Sequence, residues 1–221
     1  MTGQPMLSEN ASLALLLLAW LVYFALHSVL ASLTVKTWVA AHRPGLMPLY
    51  RLAFNTLATL GLLPILWLLY RHPGPLLWAW SGIWAWLGNG LALAAVAGFF
   101  HTLRDYDTGE FLGVRQWRDG TRTVADQESF HLSPAHRFVR HPWYFFSLVI
   151  LWTRDMSAAM LLTALIITAY LVVGSRLEEK KLIAYHGERY RRYMRKVAGL
   201  VPLPWKTISK AQAIALVSGK E

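Results

Sequence analysis

The chain predicts an all-α, polytopic membrane protein with about five transmembrane helices, a C-terminal helical hairpin and a cytoplasmic interfacial helix. Three observations carry that expectation. Its 221 residues are 55% apolar and include eleven tryptophans, a composition too apolar for an ordinary soluble domain. Its apolar runs approach the roughly 20 residues that cross a hydrocarbon core of about 30 Å. Its basic residues gather in alternate connecting segments, as the positive-inside rule requires.

The first run, residues 11–33 (ASLALLLLAWLVYFALHSVLASL), holds no Asp, Glu, Lys or Arg. Ser8 and Glu9, and no Lys or Arg, stand just before it, where a signal peptide would carry a basic region, so the run is expected to stay in the mature protein. Residues 52–70 and 76–100 form the second and third expected spans. His27 and Asn55 lie inside the first and second, where a polar side chain is costly in lipid and is expected to face protein. Gly88, Gly90 and Gly98 make a small-residue face on the third, the pattern of close helix packing.

The fourth and fifth spans are expected at 143–153 and 156–174, as a hairpin whose tight turn holds Arg154 and Asp155. Residues 101–142 then form a polar loop and 175–221 a tail, all within a single integral-membrane domain. With the N-terminus outside, 20 of the 22 Lys and Arg residues fall in the segments 34–51, 101–142 and 175–221, and only Arg71 and Arg154 lie opposite. This puts the C-terminus in the cytoplasm, with a bacterial inner membrane as the expected location. In the tail, residues 176–197 carry an apolar stripe of Leu182, Ile183, Tyr190, Tyr193, Met194 and Val197. That stripe predicts a helix along the interface, interrupted at Gly187 and ended by the prolines of LVPLPW.

Composition also excludes chemistry. With no cysteine there is no disulfide, thiolate ligand or cysteine nucleophile. The net charge of +10 reflects eleven basic residues after the last span, which suit anionic lipid headgroups rather than nucleic acid. No metal is expected, because His131, His136 and His141 stand five residues apart, off the i, i+4 spacing of a helical ligand set. Ser28 beside His27 lies within a span, and no G-x-S-x-G elbow occurs.

Two polar clusters flank the predicted hairpin. Arg140 and His141 lead into its first helix; Arg176, Glu178 and Glu179 leave its second. An antiparallel pair brings both to one membrane surface, where carboxylates face an Arg-His-Pro turn and together offer acceptors and donors for a polar cofactor. Taken singly, Arg140 reads more simply as a snorkelling anchor and the glutamates as a solvated helix continuation; it is their combination that points to a site.

The sequence RHPWY (140–144), a hairpin, and RLEEKKLIAYHGERYRRYMRKVAGLVP (176–202) together resemble the integral-membrane methyltransferases related to isoprenylcysteine carboxyl methyltransferase and phospholipid N-methyltransferase. Upstream, ALHSVLAS (25–32), YRLAFN (50–55) and GEFLGVRQW (109–117) look like the bacterial branch that contains the methanethiol S-methyltransferases and the NnrU-like proteins. One departure is Phe146, two residues after the motif tyrosine, where the family commonly has glycine; it bears on the shape of the cofactor cleft.

The resemblance implies S-adenosylmethionine held by Arg140, His141, Pro142, Tyr144, Glu178 and Glu179, with Tyr190 and Tyr193 covering the adenine. It implies methyl transfer to a small or lipophilic acceptor, most simply a thiol arriving from the bilayer. A thiol would be deprotonated by His141, His131 or a nearby arginine; a carboxylate acceptor would instead need Arg140 or Arg176 as its cation. Prenylcysteine carboxyl methylation, phospholipid N-methylation, an NADPH-dependent reductase of sterol-reductase type and a non-catalytic NnrU-like or nurim-like scaffold stand as alternatives.

Overall fold

Ser8 opens the first helix by accepting a hydrogen bond from the Ala11 N–H, 3.3 Å away, which satisfies one of the donors a helix start leaves unpaired. The structure, a computed structural model, describes residues 8–122 and 132–218. In chain order its principal elements are α1 (Glu9–Ala31), α2 (Leu33–His42), α3 (Met47–Arg71), β1 (Leu76–Trp78), α4 (Gly82–Thr102), α5 (Thr108–Leu112), α6 (Val114–Arg118), α7 (Pro142–Trp152), β2 (Met156–Ser157), α8 (Ala158–Lys196) and α9 (Lys210–Ser218).

Among the described residues four helical stretches are long and apolar enough to cross a membrane: Glu9–Ala31, Pro44–Arg71, Gly82–Asp105 and Ala158–Lys196. Leu18, Leu21, Leu57, Leu60 and Leu63 are exposed on them, an apolar surface suited to lipid and costly in water. The protein is therefore an all-α integral-membrane protein, as its composition indicates. The expected span at 76–100 is shifted, because its first residues form β1 and the helix begins only at Gly82. The expected span at 143–153 is the eleven-residue helix α7, whose rise of roughly 16 Å falls short of a bilayer.

The described residues separate into two units. The first draws on Met1–Ala79, Asp107–Asp126 and Asp155–Ile166. Here the buried Trp20 Nε1 donates to Thr163 Oγ1 at 3.1 Å, and the Tyr50 hydroxyl donates to the Leu30 carbonyl at 2.6 Å. Asn55 turns toward protein as expected, its Nδ2 donating to the carbonyls of Phe111 (3.0 Å) and Leu112 (3.1 Å). Gly113, between α5 and α6, has φ 89, and a Cβ there would stand 2.6 Å from the Leu52 nitrogen; only glycine permits that approach. β1 and β2 pair antiparallel. Just before β1, the carbonyls of Pro73 and Pro75 accept the N–H groups of Ala159 and Ala158, both at 3.0 Å, and so cap the start of α8.

The second unit draws on Trp80–Tyr106, Gln127–Arg154 and Ile167–Glu221. In it α7 runs antiparallel along α4. Trp143 Nε1 donates to Thr102 Oγ1 at 2.8 Å, and Arg154, at the far end, donates to Asn89 Oδ1 at 3.0 Å. Between them a Cβ on Gly98 would meet the Phe146 ring at 2.8 Å, and one on Gly88 would meet the Thr153 carbonyl at 3.3 Å. Gly88 and Gly98 are therefore packing glycines, whereas Gly90 has nothing within 4 Å. Phe146 finds its space on the facing helix: the small residue of the pair stands on α4.

The tail departs from expectation. Residues 176–186 prolong the helix that begins at Ala158 rather than starting a new one, and the expected interruption stands at Gly187, a kink beyond which a second helical piece runs to Lys196. Its apolar stripe is used inward: Tyr190, Tyr193 and Val197 form a buried core with Ile208, Ala213 and Leu216. The last two belong to α9, an element that the sequence reading does not anticipate.

Candidate functional site

Pro142 starts α7 because its missing N–H falls in the first turn, where that group has no helical partner. The residue before a proline is kept out of the helical region, and His141 accordingly has non-helical backbone at φ −122, ψ 72. Strand-like pairing fixes this approach: Val139 bridges Ala198 in parallel, Arg140 N–H donates to the Ala198 carbonyl at 2.8 Å, and His141 N–H donates to the Gly199 carbonyl at 3.1 Å. The Arg-His-Pro turn is thus strapped to the segment following α8, and both side chains are delivered to the same place.

There they meet the paired acids of α8. Arg140 Nε donates to Glu179 Oε1 at 2.8 Å, while Nη1 donates to the Met194 carbonyl at 3.0 Å and also to the Val197 carbonyl. The Tyr190 hydroxyl also interacts with this guanidinium. The His141 ring contacts both acids, Nε2 to Glu179 Oε1 at 3.0 Å and Nδ1 to Glu178 Oε2 at 3.3 Å. Tyr144 stacks on that ring with centroids 5.2 Å apart, and its hydroxyl donates to Glu178 Oε2 at 3.2 Å.

Burial separates the two carboxylates. The Glu179 side chain is 12% exposed and Glu178 47%, against 4% for His141 and 12% for Arg140. Glu179 is therefore the buried member of an ion cluster, and Glu178 is its face toward solvent. Burial of the His141 ring opposes its protonation, but hydrogen bonds to Glu178 and Glu179 outweigh that and hold its pKa above the usual histidine value. Protonated His141 contributes stability that is complete below the unfolded value of about 6.5 and is lost as pH rises through the higher folded one. The melting temperature of the detergent-solubilised protein should fall across that rise, and His141→Gln should remove this component. An identical profile in the variant would show that the ring is not charged at lower pH.

This arrangement brings together Arg140, His141, Pro142, Tyr144, Glu178 and Glu179. His141 has a carboxylate on each ring nitrogen, Glu179 on Nε2 and Glu178 on Nδ1. Arg140 directs Nε to Glu179 and Nη1 to two carbonyls. Tyr190 and Tyr193 stand in the core beside the cluster, 2% and 1% exposed, and the Tyr193 hydroxyl donates to the His136 carbonyl at 2.7 Å. Arg176 is exposed on α8 outside the cluster. His136 Nδ1 faces Ser133 Oγ at 2.8 Å, and His131 lies outside the described residues. Among those residues no group of His, Cys, Asp or Glu side chains could hold a metal.

Missed by sequence reasoning are the carbonyls of Met194 and Val197, since a backbone acceptor leaves no mark in residue type. A basic residue aligned with a helix C-terminus is the only signal that could have pointed to them.

Several known proteins are similar to this chain over most of its length. The chain is 36% identical over 203 residues to methanethiol S-methyltransferase 2 of Bradyrhizobium diazoefficiens, covering 90% of this chain and 76% of that one. It is 32% identical to a methanethiol S-methyltransferase of a Pseudomonas species, covering 82% and 70%. It is 31% identical to that of Mycobacterium tuberculosis, covering 83% and 75%. No family model matches the chain, and no solved structure does.

Proposed function

Because the chain belongs to the methanethiol S-methyltransferase family, and is thus a methyltransferase built into a membrane, we propose that it transfers a methyl group from S-adenosylmethionine to a small thiol. The single observation that carries the site is Glu178, a half-exposed carboxylate gripped by Tyr144 and His141 at the edge of a buried ion cluster.

The residues fit the cofactor by chemistry. When bound, S-adenosylmethionine supplies a methyl group on a cationic sulfur. Glu178 offers acceptor capacity to its amino or hydroxyl groups and a negative charge that favours the sulfonium. Tyr144 fixes which way Glu178 points. His141, buried between them, holds Glu178 and Glu179 in one arrangement, and Arg140 holds Glu179. None of the three has to reorganise for the reaction, and such a preset electrostatic frame is what an in-line displacement asks of its enzyme. Arg176 is the exposed cation available for the cofactor's carboxylate. A small apolar thiol partitions readily into the membrane in which the protein sits, and the site lies where α7 and α8 leave their apolar stretches.

Isothermal titration of the detergent-purified protein with S-adenosylhomocysteine, beside NADPH, tests this reading. Micromolar binding of the former alone, with methylation of methanethiol to dimethyl sulfide, is the expected result; binding of NADPH alone would overturn it. The distribution of basic residues further supports a cytoplasmic C-terminus. C-terminal reporter fusions check the orientation, and a signal from the periplasmic reporter would reverse it.

A further inference from the structure

Gly187 has φ 55 and ψ −131, the one non-helical residue inside α8. Its surroundings are open, with nothing within 4 Å of where a Cβ would stand, so no neighbour excludes a side chain there. Backbone conformation alone selects glycine: this pair of angles mirrors the extended region and suits the first central position of a type II′ turn, which L-residues resist.

The residues on either side of this corner meet on one side chain. Arg140 Nε bonds Glu179, before the corner, while its Nη1 bonds the carbonyls of Met194 and Val197, after it. Met194 follows Glu179 by fifteen residues, and a straight helix would convert that interval into about 22 Å of rise. Neighbouring nitrogens of one guanidinium lie only about 2.3 Å apart, so no straight helix could offer both sets of acceptors to Arg140. The chain must fold back between them, and Gly187 is where it does.

We propose that Gly187 is a positioning residue for the cofactor site. By turning the last part of α8 back, it presents two helix-end carbonyls to Arg140, which then holds Glu179 and, through His141, Glu178 in their working places. This inference rests on the assignment of those carboxylates to S-adenosylmethionine. It leaves Gly187 itself without any contact to the cofactor.

The absence of native cysteine makes spin labelling direct. In the full-length protein, nitroxides on Lys180→Cys and Arg195→Cys should lie closer together than the straight-helix separation of about 22 Å; a separation at or beyond that value in the parent sequence overturns the fold-back. Into this background Gly187→Ala should bring a longer or broader distance distribution. In the label-free protein, Gly187→Ala should raise the KM for S-adenosylmethionine and the Kd for S-adenosylhomocysteine roughly tenfold or more, as expected for backbone strain of this kind, while the KM for methanethiol stays unchanged. A variant that lost only its active fraction, with both KM values intact, would contradict the proposal, as would parental distances with parental affinity. Should the parent protein bind no S-adenosylhomocysteine, the cofactor assignment fails, and the distances still decide whether Gly187 is the corner. If Gly187→Ala does not fold, the parental distance and the milder Gly187→Asn, whose KM for S-adenosylmethionine alone should rise, decide in its place.

Discussion

Arg140→Ala is expected to abolish measurable S-adenosylhomocysteine binding and to destabilise the folded protein by about 3–5 kcal/mol, the usual cost of leaving a buried charge without its partner. The reason is the number of groups orphaned at once. Glu179 would keep its charge in a buried setting with only His141 beside it, and the carbonyls of Met194 and Val197 would lose their donor. Arg140→Lys should recover only part of the loss, because an ammonium cannot span a carboxylate and two carbonyls with the fixed fork of a guanidinium. Thermal unfolding in detergent and titration calorimetry read the two effects separately. A variant that melts and binds like the parent would remove Arg140 from its structural place.

Glu178→Ala should behave in the opposite way. Its side chain is half-exposed and its partners, Tyr144 and His141, retain other contacts, so the melting temperature should change little. Cofactor affinity should nevertheless fall about tenfold to a hundredfold, the range for losing a hydrogen bond to a charged group. Glu179→Ala, by contrast, should lose stability and affinity together, since it leaves Arg140 and His141 buried without their shared acceptor. Equal effects from the two substitutions would contradict the division of labour that their burial indicates.

How much of this was legible in the sequence depends on the kind of interaction. Long apolar runs mark α1, α3, α4 and the start of α8, because a lipid-exposed helix has no other composition open to it. The Arg-His-Pro turn and the adjacent glutamates could be paired in advance: charged residues at two apolar segment ends need each other. What the apolar pattern could not show was where α8 ends. Charges at Arg176, Glu178 and Glu179 look like a membrane boundary, yet a helix backbone does not stop where lipid does, and it runs on to Gly187. Tyr190, Tyr193 and Val197 have the same spacing whether a stripe faces lipid or a small core, so only the presence of α9 distinguishes the two. Arg140 is the sharpest case, since two of its three acceptors are backbone atoms of residues that any apolar side chain could have occupied.

The cap that Pro73 and Pro75 place on α8 has a consequence for biogenesis. A ribosome delivers those two carbonyls more than eighty residues before Ala158 and Ala159. The final long helix therefore enters a membrane in which the acceptors for its first N–H groups have already been inserted. A circularly permuted chain that made the C-terminal half first would have to expose those donors to hydrocarbon until its partner segment arrived. The order of synthesis is in this sense part of how the structure solves its hydrogen bonding.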